Sequence, residues 1–200
     1  MSLLLAIESA IAGGSLSFQR DGKPVASWHG TTGVSRAEEL LPAVTRLMRE
    51  NDIERGDLSI IAVSAGPGSF TGIRIGISTA MGLASALSIP LATCSILKAM
   101  AYSVGAGHLL TAVPMGRGAV CVQEFQSMQP AGEPATMTQD EFVRQASAFP
   151  GGVVIHGGLI ELCKHLNIMD LGLDLAAALG KYCHQYPDER ERPLFISKSF

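Results

Sequence analysis

The sequence predicts an α/β protein: a mixed five-stranded sheet with helices on its faces in an N-terminal lobe, then a smaller second lobe. Three observations lead there. Hydrophobic residues make up 47% of the 200 residues and charged residues only 16%, which allows a substantial core. The first hundred residues read as a strand meander followed by units in which a helix joins two strands. Within them, Leu58–Val63 is a continuous apolar run, as a buried strand needs, and a Gly-Pro-Gly-Ser turn and one long helix follow it.

Taken in order, Leu3–Ile7 is the first strand. The opening residues lack the basic flank and long apolar centre of a signal peptide, so a cytoplasmic chain is expected. Ala12-Gly13-Gly14 is a turn and Ser15–Gln19 a second strand. Asp21-Gly22 signals a hairpin into a third strand at Val25–His29. A helix over Arg36–Glu50 gathers Leu40, Leu41, Val44, Leu47 and Met48 on one broad face. Pro42 inside it removes the bond to Glu38, which predicts a kink or a late start. Asn51–Asp57 is a loop before the Leu58–Val63 strand.

Gly66, Pro67 and Gly68 stop that strand, and Ser69 is placed to cap a helix running to about Ser88. Gly72, Gly76 and Gly82 inside the helix each cost about 1 kcal/mol against Ala. Gly72, Gly76, Ala80 and Ala84 recur at spacing four and form a ridge almost without side chains. Such a ridge lets another backbone approach closely, either a partner's helix or this chain's own sheet. Ile75–Leu97 carries no charge over 23 residues, nominally long enough to span a membrane. Pro90 and six Ser or Thr residues argue instead for a buried helix followed by a short strand, Leu91–Cys94.

A helix over Ser95–Val104 completes a β-β-β-α-β-α-β-α order, that of one lobe of the actin-like, ribonuclease-H-like (ASKHA) architecture. The lobes are expected at 1–97 and 98–200. In the second, strands are predicted at Leu109–Pro114, Val120–Phe125 and Val153–His156, and helices at Gln139–Ala148, Leu159–Leu166 and Leu171–His184. Gln126–Met137 reads as a polar connection, and Tyr186–Phe200 as a charged tail with two prolines.

The chemistry is sparse. A net charge of −3 without a basic stripe does not indicate nucleic-acid binding by the chain alone. Cys94, Cys121, Cys163 and Cys183 are widely spaced, and the five histidines show no zinc-binding spacing. Ser69 is not in a Gly-x-Ser-x-Gly elbow. Neither a catalytic residue nor a metal or cofactor is expected. A nucleotide site could use Glu8 as a carboxylate that manages a metal ion, with Gly66, Gly68, Ser69 and Thr71 as donors at a helix N-terminus. No Gly-Lys-Ser/Thr is present, so this is not a Walker A loop, and the same residues read equally as a tight turn and a cap.

Residues 62–82, AVSAGPGSFTGIRIGISTAMG, with Ile89-Pro90 and the Leu40-Leu41-Pro42 helix, resemble the signature of the TsaB (YeaZ) family. The Val153–Gly158 strand and the closing Pro193-Leu194-Phe195 also sit where that family has comparable elements. The resemblance implies a two-lobed actin-like fold and a non-catalytic subunit in making threonylcarbamoyladenosine on tRNA. It implies pairing with TsaD, the related catalytic subunit, association with a small ATPase, TsaE, and homodimers through the same surface. Transfer RNA is met only within the complex, and no membrane is involved. The surface implied is the helix pair Arg36–Glu50 and Ser69–Ser88, hence Leu40, Leu41, Val44, Leu47, Met48, Gly72, Ile73, Gly76, Ile77, Ala80 and Ala84. The chain departs from the family where Asp-Thr-Ser is usual and Glu8-Ser9-Ala10 stands. It departs again at Arg36, where His is usual, and at Pro114-Met115-Gly116-Arg117, where Asp-Ala-Arg is usual. It is also shorter than typical, with a trimmed second lobe. These departures weaken a nucleotide site more than the interface. The alternative, an independent actin-like kinase or ATPase, needs Glu8 and the 66–71 turn to bind Mg-nucleotide; an older peptidase reading has no metal-ligand support.

Overall fold

The computed structural model describes residues 2–31, 36–172 and 174–194. Strands β1 (Leu3–Glu8), β2 (Ser15–Arg20) and β3 (Lys23–His29) form the expected antiparallel meander. Asp21 and Gly22 both take positive φ, +51° and +76°, the conformation a two-residue hairpin requires. Helix α1 (Arg36–Glu50) runs with Pro42 inside it and does not start late. Strand β4 (Leu58–Ser64) then pairs parallel with β1. Helix α2 (Phe70–Leu87) crosses over to β5 (Leu91–Cys94), which pairs parallel with β4. The first sheet therefore has the order β3-β2-β1-β4-β5, mixed and five-stranded as predicted.

Helix α3 (Ile96–Val104) leads into the antiparallel pair β6 (His108–Gly116) and β7 (Ala119–Gln126). The stretch read as a polar connection holds two short strands, β8 (Gln129–Pro130) and β9 (Ala135–Thr138), both on β7. Helix α4 (Gln139–Ala148) starts at a capping box in which Thr138 and Glu141 exchange bonds. Strand β10 (Gly152–Ile155) pairs parallel with β6. The helix expected at Leu159–Leu166 is instead a 3-10 segment, Gly157–Leu162, begun by two glycines. The last helix does not start at Leu171: β11 (Ile168–Asp170) precedes it, and α5 (Leu175–Gln185) begins where Asp174 accepts a bond from the Ala177 amide.

The layers follow from strand alternation. Leu3, Leu5 and Ile7 of β1 face outward, into a cluster with Leu40, Val44 and Leu47 of α1 and Ala80 and Ala84 of α2. Leu4 and Ala6 face inward, into a cluster shared with α3, α5 and the inner face of the second sheet. Phe142 and Ala146 of α4 cover the other face of that sheet, against Leu110, Val120, Val122 and Val153. Helix α5, late in the sequence, thus lies on β1 and β2, and Gly180 there leaves the space that the Gln19 amide fills. Gln19 Nε2 donates to the Ala177 carbonyl at 2.7 Å.

Candidate functional site

The turn after β4 is built by its neighbours. Gly66 takes φ +95°, and a Cβ there would meet the Ile73 side chain and the Leu194 carbonyl. The Ser69 amide donates to the Ala10 carbonyl at 2.7 Å, and its hydroxyl accepts from the Gly72 amide at 3.2 Å. Ser69 is therefore the predicted cap.

Glu8 has a different task from the one the sequence suggested. It is buried, and its Oε1 accepts from the Ala10 and Ile11 amides at 2.6 and 3.0 Å. This carboxylate holds together the turn after β1 rather than facing a phosphate-bound metal. The Gly66 amide donates to Ser64 Oγ at 3.1 Å. Of the five candidate nucleotide residues, Ser69 and Thr71 are exposed, Gly68 is half-buried, and Glu8 and Gly66 are buried. Glu8, the Gly66 amide and Ser69 are bonded within the chain, so the carboxylate and two of the expected donors are turned to the local turns rather than to a nucleotide phosphate.

The ridge on α2 is likewise turned inward. Gly72 sits against the Ser9 and Ala10 backbone, and Gly76 against Ser9 Oγ and Val63. Ser9 Oγ in turn donates to the Gly72 carbonyl at 2.8 Å. Ala80 and Ala84 lie in the cluster under the helix, and Ile73 is buried against Gly66. Of the two destinations open to this ridge, the structure shows the chain's own sheet. Gly72, Ile73, Gly76, Ala80 and Ala84 are buried and not an external surface, with the turn after β1 and the sheet already packed against this side of the helix. On α1, Leu40, Val44 and Leu47 are also buried, while Leu41 is 49% exposed and Met48 half-buried.

The outer side of the helix pair is what remains accessible. Only five of the 18 residues of α2 are buried. Phe70 and Met81 are 50% and 56% exposed, Ile77 is half-buried, and Gly82 has open space where a Cβ would stand. The Arg74 guanidinium lies 3.8 Å from the centre of the Phe70 ring, a cation–π pair at the start of the helix. Between α1 and α2 runs a groove of about 270 Å³ with Leu5 and Leu58 at its floor and Leu41, Val44, Met48, Leu83 and Leu87 as walls. α2 alone among the described residues has the length and mean hydropathy of a membrane span, 1.2, yet its inner face is committed to the sheet.

Elsewhere four thiols and one histidine are turned inward. Cys94, Cys121, Cys163 and Cys183 are free and buried. Burial pushes the thiols of Cys121 and Cys183 up to about 12. His156, beyond β10, is buried and its Nδ1 accepts from the Gly158 amide at 3.0 Å. Burial holds its imidazole below the ordinary value, against a smaller opposing pull from Asp170. Among the described residues no three His, Cys, Asp or Glu side chains gather as metal ligands. A cluster that sequence reasoning missed joins Lys98 to Glu189 and Glu191, at 3.1 and 2.8 Å. Its only sequence signal was the two carboxylates spaced by one residue in the tail.

Residues 34–179 match the family model described as TsaD, tRNA N6-adenosine threonylcarbamoyltransferase. The tRNA threonylcarbamoyladenosine biosynthesis protein TsaB of Escherichia coli K12 is 32% identical over 127 residues, 62% of this chain and 54% of that one. The chain thus spans about half the length of the curated relative it matches. The structure of YeaZ from Pseudomonas aeruginosa superposes with a TM-score of 0.69 at 22% identity, over 98% of this chain and all of that one. Component A of the Acidaminococcus fermentans (R)-2-hydroxyglutaryl-CoA dehydratase does so at 0.61 and 10% identity, over 93% and 99%. These likenesses confirm the actin-like α/β fold. The match over residues 34–179 shows that the chain belongs to the threonylcarbamoyltransferase (TsaD) family, and within it the chain is similar to TsaB proteins.

Proposed function

We propose that this chain is a TsaB-like scaffolding and activating subunit. In this reading it binds a TsaD-type catalytic subunit and supports threonylcarbamoyl transfer to tRNA adenosine, without performing the chemistry itself. The observation that carries the proposal is the outer face of α1 and α2, where Leu41, Phe70 and Met81 are exposed beside an apolar groove. An exposed aromatic–Arg pair next to apolar side chains is the composition of an interface centre. Glu8, spent on its own turn, supports a non-catalytic role over an independent Mg-nucleotide enzyme.

The same face serves a homodimer in the absence of the catalytic subunit. A TsaE-like ATPase and tRNA join only in the assembled complex, in the cytoplasm, and the chain divides into two lobes near residue 97. Sedimentation of the chain alone and with a TsaD-type subunit tests this: homodimer should give way to heterodimer on mixing. A chain that stays monomeric and ignores the catalytic subunit overturns it, as does micromolar binding of Mg-ATP to the chain alone.

A further inference from the structure

Strand β5 is the last strand of the first sheet, so one of its edges would present unpaired backbone groups. The chain's own C-terminal segment lies there. Thr93 donates its amide to the Glu189 carbonyl at 3.0 Å and accepts from the Glu191 amide at 3.0 Å. Thr93 Oγ1 donates to the Glu191 carbonyl at 2.8 Å, and the Leu194 amide reaches the Ala65 carbonyl at 2.7 Å. The pairing of Thr93 with Arg190 is parallel.

Residues 189–192 alternate like a strand: Glu189 and Glu191 are half-buried, Arg190 and Arg192 exposed. The two carboxylates enter one seat. Lys98 Nζ lies 3.1 Å from Glu189 Oε1 and 2.8 Å from Glu191 Oε1. Tyr182 OH donates to Glu189 Oε2 at 3.2 Å, and Glu191 Oε2 accepts from the Ser95 amide at the N-terminus of α3. A helix N-terminus and a lysine together favour an anion. Burial pulls Lys98 down, but its bonds to Glu191, Tyr182 and Glu189 outweigh that and keep it protonated. Ser95 Oγ is buried beside this seat without a hydrogen-bond partner, and α3 gets no side-chain cap from it.

We infer that the β5 edge, with Lys98 and the α3 N-terminus, is an acceptor for an extended acidic segment carrying carboxylates two residues apart, occupied in cis by residues 189–194. The seat is formed by α3, α5 and β5, whose positions do not depend on the strap: they belong to the core shared by both lobes. The strap contributes none of its own residues to that core. A few backbone bonds and one charge cluster hold it, so it opens at a lower free energy than the sheet it borders. Once it leaves, the edge is open to strand addition, where the backbone supplies affinity and the spacing of two carboxylates supplies selectivity.

The test uses the full chain with Glu189→Gln and Glu191→Gln, which release the strap and leave the seat intact. Hydrogen exchange at the Thr93, Glu191 and Leu194 amides should rise roughly tenfold or more, while β1 and β4 amides stay protected. A fluorescent peptide of residues 186–194 should then bind the double variant at least about tenfold more tightly than the wild type, whose edge is filled. Adding Lys98→Met to the double variant should abolish that binding. The inference is overturned if the strap amides keep wild-type protection, if β1 and β4 amides lose protection with them, or if the peptide ignores the freed edge.

Discussion

Gly76 of α2 lies directly over Ser9, the residue after β1, and Ser9 Oγ occupies the space a Cβ at position 76 would need. The same hydroxyl donates to the Gly72 carbonyl one turn earlier. The helix glycines that looked like a docking ridge are therefore the reason α2 can sit on the end of β1. Gly76→Leu should cost about 3 kcal/mol or more in urea unfolding, because neither the turn nor Val63 can retreat. Gly82→Ala, on the open side of the same helix, should instead add about 1 kcal/mol. A Gly76→Leu variant as stable as the wild type, or more stable like Gly82→Ala, would show that the ridge faces solvent.

Met81 stands on the exposed side of that helix. Met81→Glu should leave the unfolding midpoint nearly unchanged and weaken assembly with a TsaD-type subunit roughly tenfold or more, read by sedimentation. Leu41→Asp across the groove should act in the same direction. Unaltered assembly in both variants would remove the helix pair as the interface.

Glu8→Gln keeps the size of the side chain but weakens its bonds to the Ala10 and Ile11 amides. The expected loss is about 1–3 kcal/mol of stability, the range for a buried charge-assisted bond. Calorimetry with Mg-ATP should show no difference between variant and wild type, since the carboxylate serves the turn.

His156 is buried, and its Nδ1 is an acceptor, so protonation in the native state breaks the bond from Gly158. Its folded pKa lies below 6.5, the unfolded value. Between the two, the unfolded chain binds more protons, so stability rises with pH. The contribution is complete above pH 6.5 and is lost as pH falls through the folded value. Denaturant midpoints measured downward from neutral pH should fall, and His156→Gln should flatten that slope.

The buried thiols should resist a thiol reagent in native buffer at pH 8 and all four should react after unfolding. Rapid reaction of Cys121 or Cys183 in the native chain would contradict thiols pushed up to about 12.

Local rules explain what was legible in advance. The apolar run of β4, the Asp21-Gly22 hairpin signal and the Ser69 cap of α2 each act over a few residues, so the sequence reveals them. The 3-10 segment after His156 was misread as a helix because its apolar spacing suits both, and only the His156 side chain bonded to Gly158 shows how it starts. Strands β8, β9 and β11 were invisible because two to four residues carry no periodicity, and pairing with β7 or β10 alone defines them.

From its residues alone this protein had its first sheet, its crossover helices, its cap at Ser69 and the ridge on α2. The tertiary structure decided which way that ridge faces, since a helix with small or apolar residues on several sides has no single inward stripe to read. It also sent Glu8 to its own turn, α5 back onto β1 and β2, and the Glu189–Glu191 strap onto Lys98. Glu8 bonds amides only two and three residues on, whereas the other two are contacts between distant parts of the chain. Such contacts form only when burial has brought whole elements together, and no local spacing in the sequence encodes them.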